Sequence, residues 1–177
     1  RRQENISLTL IRHAQSKSNE AESDPAYGYW TGAQFHPDLI DPVITDKGVA
    51  QAKKANEKMV SKPIDIVFVS PLSRAMQTAT IIFENNPGKP KFVAVPTLSE
   101  YFHGSGDIGG DYEVVKEKFK HVDFSAVEEY DNPGFWYLEN LCNKEYRDLM
   151  YKKLAEEGIE DKKQAAVYIT TYMKRMS

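Results

Sequence analysis

Cysteine is almost absent from this chain. The one present, Cys142, excludes an internal disulfide framework and a cysteine-cluster zinc site. Histidine is scarce as well, with only His13, His36, His103 and His121. No apolar run approaches the ~20 residues that a membrane-spanning helix needs. An excess of positive charge is also missing. The 23 Lys and Arg against 26 Asp and Glu give a formal net charge of -3. A dedicated nucleic-acid binder would need a concentrated positive face, so that class is set aside. Internal repeats, low-complexity tracts and interdomain linkers are not found either.

What is present describes a globular domain. The 177 residues are 41% hydrophobic and 28% charged. That length is one ordinary domain's worth, long enough to bury a real core. A lone cysteine fits a reducing compartment, so a cytoplasmic location is expected.

Residues 6–11, within "ISLTLIR", are short and rich in β-branched residues, which predicts a strand with both faces covered. The polar stretch 15–24 opens a helix, and residues 25–42 read as a long loop. Thr45 is placed to cap a helix whose apolar stripe is Val49, Ala52, Ala55 and Met59. Residues 64–70 ("IDIVFVS") are almost unbroken apolar, as in a central strand of a parallel sheet. Pro71 then leads into a helix over "LSRAMQTATIIFE". "NNPGKP" is a turn and "KFVAVP" a third strand. Helical stretches follow at about 113–120, 143–157 and from 161 onward, with an irregular aromatic-rich stretch at 123–140. Strands alternating with helices predict an α/β fold with a mostly parallel central sheet.

Three segments place chemistry at strand ends, where parallel α/β sheets bind ligands. In "LIRHAQSKSN", Arg12 offers a charged fork suited to phosphate or carboxylate, and His13 beside it suits a nucleophile or base. Ser16 and Asn19 supply neutral donors nearby. In "VFVSPLSRAMQTA", Arg74 falls in the first turns of a helix, where it can converge with Arg12 on one anion. In "VPTLSEYFHGSGDIGG", Glu100 lies just beyond a strand and ahead of a glycine-rich loop. A carboxyl in a partly dry pocket there can serve as a general acid. Taken singly, each of these residues is more often a surface charge. Their recurrence at three strand ends is what favours a site.

Together the segments resemble the histidine phosphatase superfamily, the phosphoglycerate mutase-like fold. The resemblance rests on four ordered motifs: Arg12-His13-Ala14-Gln15-Ser16-x-x-Asn19, Ile44-Thr45-x-x-Gly48-x-x-Gln51-Ala52, "SPLSRAMQTA" at residues 70–79, and Leu98-Ser99-Glu100. Ala14 stands where the family usually has glycine. "VDFSAVEEYDN" and Trp136-Tyr137 further resemble its plant and fungal phosphoglycerate mutase-like branch. The resemblance implies a three-layer α/β/α sandwich formed by a single domain over residues 1–177. It also implies a phosphomonoester hydrolase in which His13 takes the phosphoryl group. Arg12 and Arg74 would hold the phosphate, Asn19 and Ser16 would add hydrogen bonds, and Glu100 would be the general acid and base. His103 is a further candidate for lining the pocket. No metal or other cofactor is implied, and the partner is a small phosphorylated substrate, with neither nucleic acid nor membrane.

One departure is plain. The family carries a second histidine after a late apolar strand, and no such motif occurs here. His36 and His121 read as loop or surface residues. The segment "KKQAAVYITTYMKRMS" resembles the helix that precedes that strand. The domain is therefore expected to be incomplete, lacking its last core strand, with the native chain continuing beyond Ser177. A phosphomutase is the near alternative, but the Asn-Glu-Arg-His-Tyr-Gly signature of the mutases is replaced by Ser99-Glu100-Tyr101-Phe102-His103-Gly104. A non-catalytic binding or scaffold member of the fold is the alternative of another class.

Overall fold

The structure is a computed structural model that describes residues 6–24, 36–100, 104–130, 133–140, 144–160, 164–165 and 168–169. Three parallel strands, β1 (Ile66–Val69), β2 (Lys91–Ala94) and β3 (Val122–Asp123), lie in the order β1-β2-β3. Ile66 pairs with Lys91 and Val69 with Ala94, while Phe92 pairs with Val122. Six helices accompany them among the described residues: α1 (Lys17–Ser23), α2 (Asp46–Met59), α3 (Ser73–Ile82), α4 (Tyr112–Lys118), α5 (Ser125–Glu128) and α6 (Lys144–Glu156). A parallel sheet flanked by helices is the α/β arrangement expected from the alternating pattern.

Local chemistry accounts for the elements around the strand ends. Thr45 caps α2 by accepting the Gly48 N–H. Of the expected stripe, Ala52 and Met59 are buried, and Val49 and Ala55 pack partly buried against them. Helix α2 lies on α3, which in turn packs on β1. The Asn86 carboxamide joins α2 to β1, donating to the carbonyls of Met59 and Lys62 and accepting the Ile64 N–H. The main core gathers Val67, Val69, Leu72 and Met76 with Trp136, Tyr137 and Leu138. The aromatic stretch therefore serves the core, in a short run of 3-10 turns at Pro133–Asn140.

Three expectations need correction. Residues 6–11 are not a strand but an unpaired segment, with Ile6, Leu8 and Leu10 at 93%, 77% and 86% exposure. A strand needs a partner for its N–H and C=O groups, and among the described residues none runs beside this one. The predicted central strand at 64–70 is for the same reason an edge: β1 pairs only with β2 among the described strands. Its burial alternates, with Val67 and Val69 inside and Ile66 and Phe68 open. Finally, β3 was not expected, because two residues carry no readable period. Most of the helix predicted from residue 161 onward lies outside the described residues, as does the loop at 25–35.

Candidate active site

Backbone pairing brings the first motif to the second. Ser16 bridges antiparallel to Ile44, Lys17 N–H donates to the Val43 carbonyl, and Thr45 N–H donates to the Gln15 carbonyl. Gly48 faces that Gln15 carbonyl so closely that a Cβ would collide with it. Side chains add to the clasp: Gln51 accepts the Gln15 N–H at 2.9 Å, and Thr45 donates to Gln15 Oε1 at 2.8 Å. The third motif is tied to both. Gln77 accepts the Ile44 N–H, while Thr78 Oγ1 accepts the Ala14 N–H at 3.0 Å and donates to the Arg74 carbonyl at 2.7 Å. The polar motif residues thus hold the His13 segment against the helix that carries Arg74.

Arg74 is the most enclosed charge of the site, only 4% exposed at the start of α3. Its Nη2 donates to Asp107 Oδ1 at 3.0 Å and to Glu100 Oε2 at 3.4 Å, and its Nη1 donates to the Gly106 carbonyl. The start of α3 is fastened by Asp41, whose carboxylate accepts the Ser73 N–H at 2.8 Å and the Ser73 hydroxyl at 2.6 Å. Asp41 takes a φ of 43°, a left-handed conformation that Asp tolerates better than most residues. Burial raises its carboxyl above the ordinary range, against the pull of the Ser73 hydrogen bonds and of Arg74.

His13 is half-buried beside these groups. Its Nδ1 lies 2.8 Å from the Ala14 carbonyl oxygen. A carbonyl can only accept, so Nδ1 carries the proton in this bond. Neutral His13 then presents a lone pair on Nε2. Burial lowers the His13 pKa most, and the Ala14 carbonyl pulls it back up. Arg74 and Arg12 lower it further, and Glu100 raises it.

The remaining candidates divide. Arg12 is exposed and makes no hydrogen bond or ion pair with the described residues. Asn19 and Ser16 cap α1 reciprocally: Asn19 Oδ1 accepts from Ser16 N–H and Oγ–H, and Ser16 Oγ accepts the Asn19 N–H. Ser16 is 1% exposed and spent in that cap, whereas the Asn19 amide nitrogen is turned away from it. The Glu100 side chain is 56% exposed, so among the described residues it lies more open than the partly dry pocket expected around it. It is placed by a hydrogen bond between Ser70, at the end of β1, and the neighbouring Ser99, at 2.7 Å. His103 lies outside the described residues. His36 Nδ1 accepts the Asp38 N–H in its loop, and the exposed His121 bonds Thr80 and sits edge-on to Phe92.

Sequence reasoning missed Asp41, Thr78 and Asp107. Thr78 stood inside a recognised motif, and Asp107 was visible only as one polar residue in a glycine-rich loop. The bonds that tie them to the site reach Ala14, Ser73 and Arg74 across 32 to 64 residues, so spacing carried no signal.

Comparison with known proteins gives the family. The chain is 29% identical over 154 residues to the "Probable fructose-2,6-bisphosphatase TIGAR A" of Danio rerio, covering 85% of this chain and 55% of that protein. It is 29% identical over 138 residues to phosphoserine phosphatase 1 of Hydrogenobacter thermophilus, covering 78% and 58%. Against a 2,3-bisphosphoglycerate-dependent phosphoglycerate mutase of Methylobacterium it is 34% identical over 104 residues, covering 58% and 42%. The chain spans about half the length of these relatives. No solved structure matches it significantly. Among the described residues, no helix is long and apolar enough to cross a membrane. Residues 8–132, which hold all four motifs and every charged group of the site, match the histidine phosphatase superfamily (branch 1), and the chain belongs to it.

Proposed function

We propose that this protein hydrolyses small phosphomonoesters through a phosphohistidine on His13. The observation that carries the reading is the His13 ring, whose Nδ1–H on the Ala14 carbonyl leaves the lone pair on Nε2, with Arg12, Arg74 and Glu100 each acting on its charge. Two arginines there supply positive charge where a phosphoryl group gathers negative charge.

In the first step Nε2 forms a bond to phosphorus as the bond to the ester oxygen breaks. Glu100, in its acid form, gives its proton to the leaving oxygen, and the alcohol departs. In the second step water attacks the phosphohistidine while the Glu100 carboxylate takes one of its protons. The P–N bond breaks, orthophosphate leaves and His13 is restored. Arg74 and Arg12 hold the phosphate oxygens throughout, and the Asn19 amide supplies a further donor. Ser16 is given no contact with substrate in this reading, because its hydroxyl is spent in capping α1. We also assign the chain to the plant and fungal phosphoglycerate mutase-like branch, on "VDFSAVEEYDN" and Trp136-Tyr137.

The relatives include both phosphatases and mutases. Phosphatase is favoured because the residues around Glu100 depart from the mutase pattern. Labelling with a radiolabelled phosphomonoester, quenched in alkaline detergent where a P–N bond survives, tests the proposal. Wild type traps acid-labile phosphate and His13→Ala traps none. A wild type that neither traps phosphate nor turns substrate over refutes the catalytic reading and leaves a binding role for the fold.

A further inference from the structure

We propose that Asp107 is a positioning residue for Arg74, holding the guanidinium in place and moderating its pull on a bound phosphate. The inference rests on the reading of Arg74 as a phosphate-binding side chain. Two carboxylates touch Arg74, and they differ. Asp107 stands at 3.0 Å with its side chain 11% exposed, whereas Glu100 stands at 3.4 Å and is 56% exposed. The shorter, drier pair is the stronger one. A buried arginine without such a partner would be an uncompensated charge in the core.

Asp107 is itself fastened. Its Oδ2 accepts the Gly104 N–H at 3.2 Å, which closes the short turn Ser105–Asp107. Ser105 and Ile108 on either side are each 1% exposed. The Gly106 carbonyl of the same turn takes the Arg74 Nη1. Gly106 is wedged against α1, where a Cβ would sit 2.7 Å from Ser18 Oγ. One anchored turn therefore grips Arg74 by a carbonyl and a carboxylate. Among the described residues Nε–H is left without a partner and remains for an anion. The carboxylate that fixes Arg74 also opposes the negative charge of any phosphate placed there.

The test is a double-mutant cycle on the full 177-residue chain, reading the dissociation constant of inorganic phosphate by calorimetry. Asp107→Asn keeps an acceptor for Arg74 and removes the charge. It is expected to bind phosphate roughly tenfold more tightly than wild type, the effect of about one charge at short range in a partly screened site. In the Arg74→Gln background the same substitution is expected to change affinity less than about twofold. Asp107→Gln, which likewise keeps a neutral acceptor for Arg74, carries the same expectation should Asp107→Asn fail to fold. Unchanged or weaker binding in the folded Asp107 variants overturns the proposal. So does an equal gain in both backgrounds, which would be a general field effect without positioning. If wild type and Arg74→Gln bind phosphate alike, or neither binds it, the phosphate-binding reading of Arg74 falls first and this inference with it.

Discussion

Thr78→Val isolates the joint between the nucleophile segment and the phosphate-binding helix. The substitution keeps the shape of the side chain and replaces its hydroxyl by a methyl. Thr78 is 3% exposed and Ala14 is 8% exposed, so water does not readily replace the lost group. The Ala14 N–H, now 3.0 Å from Thr78 Oγ1, would be left without its acceptor. An orphaned buried N–H costs about 1–3 kcal/mol, so a loss near 2 kcal/mol is expected. The bond from Thr78 to the Arg74 carbonyl adds little, because a helix carbonyl at that position already has a backbone partner. For a chain of this size, ~2 kcal/mol corresponds to a fall in Tm of about 4–8 °C. Thermal unfolding followed by circular dichroism measures it, with Thr78→Ser as the control that keeps the hydroxyl and about half or more of the stability. If Thr78→Val melts with wild type while Thr78→Ser does not, the hydrogen bond is not the joint. The same displacement moves His13 relative to Arg74, and a shift of about 1 Å can cost ~100-fold in rate. Turnover in the valine variant is therefore expected to fall more than its folded fraction does.

Three further outcomes follow from the same geometry. Because burial and the two arginines hold the His13 pKa below its ordinary value near 6.5, the acid limb of kcat/KM is expected below pH 6.5; a limb above that value refutes the assignment. The stability sign agrees: between the depressed folded pKa and ~6.5 the unfolded chain binds more protons, so His13 makes stability fall as pH drops through that window, and His13→Gln is expected to remove the effect in pH-dependent denaturation. Gly48→Ala places a Cβ against the Gln15 carbonyl and 3.0 Å from Ile44 Cβ, and overpacking of this kind costs about 1–3 kcal/mol; a denaturation midpoint equal to wild type would show that the Gln15–Thr45 clasp gives way freely.

The legible parts of this protein are those whose physics is local. The capping threonine of α2 and the apolar stripe of α2 act within a few helical turns, and each is found where the residues place it. Strand type was less legible than strand existence. Residues 64–70 read as a central strand because an apolar run reports hydrophobicity on both faces, yet β1 lies at an edge of the described sheet with Phe68 59% exposed. Residues 6–11 carry strand composition, and composition does not supply the neighbouring chain that a ladder requires.

The sequence by itself determined the family and the order of the motifs, and it named His13, Arg12, Arg74 and Glu100 as the candidates for the site. These are chemical identities, and chemistry is written residue by residue. Only the tertiary structure decided how those groups are held and to what degree each is covered. It spent Ser16 on a helix cap, left Glu100 open to water and enclosed Arg74 between Asp107 and the Gly106 carbonyl. It also made Thr78 the tie between Ala14 and Arg74. Such roles depend on contacts between residues far apart in the chain. Burial and hydrogen-bond partnership arise from packing, which no local pattern specifies.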